Sequence, residues 1–168
     1  MWTVCQREGR AMTYWRLFYH LVWSTKLREP VIDDRIEAIV RGSINGSVSD
    51  KGGTIYAIGV MPDHVHVALS IPPKYSISEV VNAIKGVSSH LLGHELHDPV
   101  HPWPGWQPEY GVLSFSERSL DRVIEYVDHQ REHHAANTVI AGLEREERDR
   151  SPSKATSSTP NRKEADLH

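Results

Sequence analysis

Between Thr54 and Ile71 the sequence holds two apolar, β-branched runs separated by little more than Pro62-Asp63. In the first run Ile55, Ala57 and Gly59 alternate against Tyr56, Ile58 and Val60. A parallel return would need a crossover of about a dozen residues or more, so two strands joined this closely pair as an antiparallel hairpin. The second run begins His64-Val65-His66-Val67. Successive strand side chains point to opposite faces, so His64 and His66 share one face while Val65 and Val67 enter the core from the other. Neutral imidazole is the commonest protein metal ligand, which makes the pair half of a metal site. A strand can equally carry two such histidines with no ligand.

The rest of the chain can be arranged around this hairpin. Tyr14 to Trp23 alternates with period two, with Trp15, Leu17, Tyr19, Leu21 and Trp23 on one face, and predicts a strand. Pro30 marks a turn, and Asp33 or Asp34 caps a helix with Ile36, Ile39, Val40 and Ile44 on its apolar side. After Pro72-Pro73, Ser76 and Glu79 form a capping box, followed by a stripe of Val80, Ile84, Val87 and Leu91. Gly93 to Gly105 is a proline-rich loop in which His94, His97 and His101 read as solvated side chains rather than zinc ligands. Trp106 to Phe115 is a fourth strand or strand-loop. Ser116 then caps a last helix, stapled by Phe115 on Leu120, with Leu120, Val123, Ile124 and Val127 as its buried stripe, running to about Ala136.

The order strand, helix, strand, strand, helix, strand, helix predicts an α+β chain. It is a ferredoxin-like split βαβ sandwich with helices on one face of an antiparallel sheet, plus a C-terminal helix that bears Tyr126. The other sheet face is left for a ligand or a partner subunit. Residues 1–13 read as a flexible leader and 14–143 as the domain. The Glu/Arg-rich, then Ser/Pro/Thr-rich stretch 144–168 reads as a disordered tail, too polar to offset its ordering entropy.

Composition narrows the function classes. The 168 residues suit one domain with a real core. A net charge of −3 argues against a surface coated in positive charge, though not against a local basic groove. Cys5 is the single cysteine, so no internal disulfide can form. The apolar stretch Met12 to Trp23 is too short and too polar for a membrane span, interrupted as it is by Arg16 and His20. The reading is a soluble cytoplasmic protein.

On the last helix, at about 100° per residue, Tyr126 falls roughly 110° from the centre of the apolar stripe and Gln130 roughly 70°, on the same side. Four residues apart, they are surface neighbours. A boundary tyrosine with a wet hydroxyl would look the same. Beside His64 and His66, however, the set supplies two imidazoles, an amide oxygen and a phenol. His64-Val65-His66 resembles the HUH motif. Tyr126-Val127-Asp128-His129-Gln130, followed by His133-His134, resembles the tyrosine helix of the single-tyrosine HUH transposases. Tyr19 to Lys26, Gly59 to Asp63, Lys85 to His90 and Trp106 to Phe115 are also similar, with REP-associated tyrosine transposases and related insertion-sequence transposases the nearest match.

The resemblance implies cleavage and rejoining of single-stranded DNA, often near hairpins, through a 5′-phosphotyrosine. Tyr126 would be the nucleophile, and His64, His66 and Gln130 would hold Mg²⁺ or Mn²⁺. A free tyrosine has a pKa of about 10, so about one in a thousand is ionised at pH 7. A divalent cation would neutralise the phosphodiester that the phenol oxygen must approach. The resemblance also implies a homodimer. Arg16, Lys26, Arg28, Lys85, Arg118, Arg122 and Arg131 are candidate phosphate partners. Trp103, Trp106 and Tyr110 are candidates to stack on unpaired bases. A histidine-triad hydrolase is opposed by Ala68 where a third histidine would stand, and a cupin by the three helical stripes. The remaining alternative is a non-catalytic nucleic-acid-binding regulator derived from such a transposase.

Overall fold

The computed structural model describes residues 14–95 and 102–146. The proposed leader, His97 and His101 lie outside the described residues, as does the tail beyond Glu146. The elements are β1 (Phe18–Ser24), α1 (Asp34–Ser49), β2 (Thr54–Val60), β3 (His64–Ser70), α2 (Ile77–Glu95), β4 (Gly111–Phe115), α3 (Leu120–Asp128) and α4 (Gln130–Ala135). They form one antiparallel sheet in the order β2-β3-β1-β4, as the split βαβ plan requires.

Helices α1 and α2 cover one face of the sheet. Val65, Val67 and Leu69 of β3 and Leu21 and Trp23 of β1 meet Ile36, Val40, Ile44, Val80, Ile84 and Leu92 there, all buried. Local chemistry sets the helix ends. The Asp33 carboxylate accepts from the Ile36 amide at 2.9 Å. Ser76 and Glu79 close their box in both directions, at 2.7 and 3.2 Å.

Three details depart from the periodicities. Strand β1 begins at Phe18, because its partners end there: Phe18 faces Phe115, and Tyr19 faces Leu69. On α2 the buried stripe is Val80, Ile84, Ser88 and Leu92, and Val87 and Leu91 are exposed. Ser88 is a buried polar residue because its hydroxyl bonds the Ile84 carbonyl at 2.7 Å and receives the Trp106 indole N–H at 2.8 Å. In β2 a register shift between Ile55 and Ala57 lets Tyr56 and Ala57 pack on the same side.

Helix α3 lies on the opposite face of the sheet, where Val123 and Val127 meet Ala57 and Ala68. The approach is close at Gly59. A Cβ there would stand 2.5 Å from the Val127 carbonyl oxygen and 3.1 Å from the Gln130 side chain. The missing side chain therefore lets α3 seat against β2, directly beside His66, which pairs with Gly59. Gly59→Ala is expected to lift α3 and to destabilise the fold by about 1–3 kcal/mol, the usual cost of overpacking. Urea titration of the purified variant checks this, and an unchanged midpoint would contradict the contact.

Candidate active site

The site grows from β3, an interior strand whose every residue is buried. His64 and His66 face away from the aliphatic core, on the side covered by α3. The two rings stand edge to face with centroids 5.0 Å apart. Each has a fixed partner for its Nδ1. Asp63 lies 2.6 Å from His64 Nδ1, and Arg28 Nε donates to the other Asp63 oxygen at 3.0 Å. Burial alone would raise the Asp63 carboxyl, but the bond to His64 and the Arg28 charge outweigh it and hold the pKa at about 2. An ionised carboxylate takes the proton side of the ring, which leaves the lone pair on Nε2, the arrangement seen behind metal-bound histidine. His66 Nδ1 lies 2.9 Å from Nε2 of His20, and the two rings stack at 5.1 Å. His20 comes from β1 and is buried.

The C-terminal side of the site comes from α3, α4 and the segment beyond them. Tyr126 and Gln130 do share one side, as their spacing requires, and both are buried. The helix predicted to run unbroken to Ala136 is interrupted at His129, which separates α3 from α4. Tyr126 lies 6.3 Å from His66 between ring centroids and stacks on His133 at 4.9 Å. Its hydroxyl donates to Glu144 Oε1 at 2.5 Å and accepts from the Ile140 amide at 3.0 Å. Burial first, and then the bond to Glu144, push the phenol well above the ordinary tyrosine pKa. Gln130 Nε2 donates to the same Glu144 oxygen at 3.0 Å.

The other Glu144 oxygen faces three imidazoles. It lies 3.5 Å from His64 Nε2, 3.3 Å from His66 Nε2 and 3.6 Å from His134 Nε2. None of these three nitrogens has a hydrogen-bond partner, nor does Gln130 Oε1. The four donor atoms of His64, His66, His134 and Glu144 lie within 4.8 Å of one another. Buried, orphaned nitrogens converging on one point fit a divalent cation, and burial of this kind is otherwise costly. Burial would raise Glu144, but the facing His66 imidazole, then the Tyr126 hydroxyl and His64, hold it at about 2.

The sequence matches the family described as IS200-like transposases over residues 13–130. The chain belongs to this family. It is 30% identical over 129 residues to the ISDra2 transposase TnpA of Deinococcus radiodurans, covering 74% of this chain and 90% of that protein. It is 27% identical to the transposase for insertion sequence element IS200 of Salmonella typhimurium, covering 74% of this chain and 84% of the relative. A solved structure from Deinococcus radiodurans R1 superposes with a TM-score of 0.56 at 31% identity, over 74% of this chain and 98% of that one. The REP-associated tyrosine transposase bound to a REP hairpin shares the fold, with a TM-score of 0.54 at 17% identity over 75% of this chain and 74% of that one.

In this transposase the candidate DNA contacts fall into four groups. Lys26, Arg118 and Arg122 are exposed. Arg122 lines a cavity of about 740 Å³ with Leu113, Tyr126, His133, Ile140 and Leu143. Arg16, Arg28 and Arg131 are paired with Glu117, Asp63 and Glu37 respectively. Arg28 also holds Glu146 at 2.9 Å, and Glu146 in turn accepts from Ser24. Lys85 is a brace: its ammonium donates to the carbonyls of Gln107, Pro108 and Glu109 at 2.9, 3.3 and 2.7 Å, and burial lowers its pKa to about 8. Trp103, Trp106 and Tyr110 pack partly buried against the main core, with Tyr110 beneath Lys85. Among the described residues no helix is long and apolar enough to cross a membrane.

Three residues of the site received no role from the sequence: His20 and His134, which lie inside stretches that resemble the family, and Glu144, which does not. His20 and His66 sit in the same strand phase, but only the register of β1 on β3 makes them neighbours. His134 stands four residues after Gln130, a spacing that places the two on one helical face. Glu144 carries no local signal at all.

The buried imidazoles make the apo transposase acid-sensitive. Burial, helped by the charge of His66, lowers His20 from 6.5 to about 3, and burial lowers His66 as well. The folded state therefore binds fewer protons than the unfolded chain between those values, so stability is full above pH 6.5 and falls as the pH drops towards 3. Between pH 7 and 5 His20 alone is expected to cost about 2 kcal/mol. Urea titrations in EDTA measure it; a stability flat from pH 7 to 5 would contradict the buried neutral pair.

Proposed function

We propose that this transposase is a divalent-metal-dependent strand transferase that cuts and rejoins single-stranded DNA near hairpins, with Tyr126 as the nucleophile. One observation carries the reading. The Tyr126 hydroxyl and the orphaned Nε2 atoms of His64 and His66 converge on the two oxygens of a single carboxylate, Glu144. A phosphodiester is likewise an anion with two exposed oxygens, and it needs the same two neighbours.

His64, His66 and the Gln130 oxygen would hold the cation, which supplies charge neutralisation and polarises the phosphoryl oxygen. Asp63 and His20 orient the two imidazoles, each through Nδ1. The Tyr126 oxygen attacks phosphorus and loses its proton; the O–P bond forms, the bond to the 3′ oxygen breaks, and that oxygen leaves as a 3′-hydroxyl after protonation. One phosphoester replaces another, so the link is conserved for rejoining and no nucleotide cofactor is consumed.

The cavity beside Tyr126, with its apolar walls and the Arg122 guanidinium, suits an unpaired nucleotide next to the cleaved bond. Strand β4 forms a sheet edge with Val112 and Leu113 exposed, a surface on which a second copy can pair and give the homodimer.

The decisive experiment incubates the full chain and Mn²⁺ with single-stranded DNA from the flanks of its own gene, including the imperfect hairpins. A protease-sensitive, shifted DNA band is expected on a denaturing gel. DNA that is bound but never covalently captured, in Mn²⁺ and in Mg²⁺, would favour the non-catalytic regulator instead.

A further inference from the structure

The carboxylate of Glu144 occupies the centre of the candidate site, yet hydrogen bonding accounts for only one of its two oxygens. His64 gives its Nδ1 proton side to Asp63, at 2.6 Å, so its neutral form turns a lone pair on Nε2 towards Glu144. A lone pair facing a carboxylate oxygen is repulsive. His134 adds a further Nε2 without a hydrogen-bond partner at 3.6 Å from the same oxygen. A cation between them removes the conflict. Donors about 2.1 Å from one ion stand roughly 3.0–3.4 Å apart in octahedral or tetrahedral shells. The separations here are 3.3, 3.5 and 3.6 Å.

The second Glu144 oxygen accepts from Tyr126 and Gln130, at 2.5 and 3.0 Å. The carboxylate thus bridges the imidazole cluster and the phenol, carrying the same single negative charge as a phosphodiester. Its segment is held at further points, through Ile140 to Tyr126 and through Glu146 to Ser24 and Arg28.

We infer that His134 and Glu144 are additional ligands of the metal, and that Glu144 is an exchangeable one, standing in the resting protein where a DNA phosphodiester oxygen stands in the complex. The inference rests on the metal-dependent reading proposed above. It adds a resting state: the Tyr126 hydroxyl is tied to Glu144 until the substrate displaces that carboxylate. The change is a ligand replacement with no redox step; one anionic oxygen donor leaves and another enters.

The test titrates Mn²⁺ into the full-length protein by electron paramagnetic resonance, with no turnover. His64→Ala is expected to abolish binding; if it binds Mn²⁺ like the wild type, the metal reading itself fails. Glu144→Ala and His134→Ala are each expected to weaken binding by about tenfold or more, in the range by which supporting residues tune metal sites. If His64→Ala loses the metal while both other variants keep wild-type affinity, the metal reading stands and this inference is overturned. Exchange is read at saturating Mn²⁺ with a fluorescent single-stranded oligonucleotide, which Glu144→Ala should bind several-fold more tightly than the wild type; equal or weaker binding contradicts it. Co²⁺ bound to the wild-type protein gives a readout free of any variant. Its visible spectrum should change when the oligonucleotide is added, and a spectrum that stays fixed excludes ligand replacement.

Discussion

Tyr126→Phe is expected to bind hairpin DNA with near-wild-type affinity and to form no covalent adduct at all. The substitution keeps the ring, and with it the stacking on His133 at 4.9 Å and the edge contact with His66 at 6.3 Å. What disappears is one oxygen, together with its bonds to Glu144 and to the Ile140 amide. Losing those bonds costs stability of about 1–3 kcal/mol, since the Ile140 amide is left without its acceptor. The fold therefore survives while the chemistry does not. The loss should be complete rather than graded, because phenylalanine has no atom that can form the ester. Labelled single-stranded DNA on a denaturing gel, run beside a native binding assay, separates the two effects. Adduct formed by the variant at the wild-type level would place the nucleophile on another residue.

His64→Ala, or EDTA added to the wild type, should lower cleavage by about a thousandfold, since a polarising cation contributes several kcal/mol to the transition state. The two perturbations should differ in rescue: excess Mn²⁺ returns activity to the EDTA-treated protein but not to the variant. The histidine is set on a central strand and oriented by Asp63, which Arg28 holds from the other side. Its removal leaves Asp63 with the Arg28 partner, so the loop before β3 keeps an anchor. Cleavage at full rate in EDTA would end the metal argument. Binding of the DNA hairpin should be less affected, because phosphate contacts made elsewhere do not depend on this ring.

Much of the fold was legible because its signals are local. The bounds of β2, the start of β3 at His64, a cap at Asp33 or Asp34 and the Ser76–Glu79 box follow from periodicity and short-range hydrogen bonding, and the structure takes Asp33. The facing of His64 and His66 away from Val65 and Val67 follows from the pleat. The misreadings have long-range causes. Tyr14 to Leu17 alternates like a strand, but pairing begins only at Phe18. Two candidate stripes on α2 share Val80 and Ile84; the true one continues through Ser88, whose hydroxyl bonds the Ile84 carbonyl and accepts from the distant Trp106 indole. The break at His129 lies within a stretch whose apolar spacing gives no warning. Glu144 was beyond reach for another reason. In a run rich in glutamate and arginine, nothing local marks Glu144 as the carboxylate that reaches the histidines.

The donors around this site differ in mechanical character. His64 and His66 ride on β3, flanked by β2 on one side and β1 on the other, with every residue buried. Glu144 rides on a stretch outside any helix or strand, fastened by a few side-chain and backbone bonds. Amides of the first group should exchange with solvent only when the whole sheet comes apart, and those of the second through small local openings. The two sides of the cluster therefore run on separate clocks: the β3 imidazoles stay fixed over the lifetime of the fold, and the stretch that carries Glu144 opens far more often.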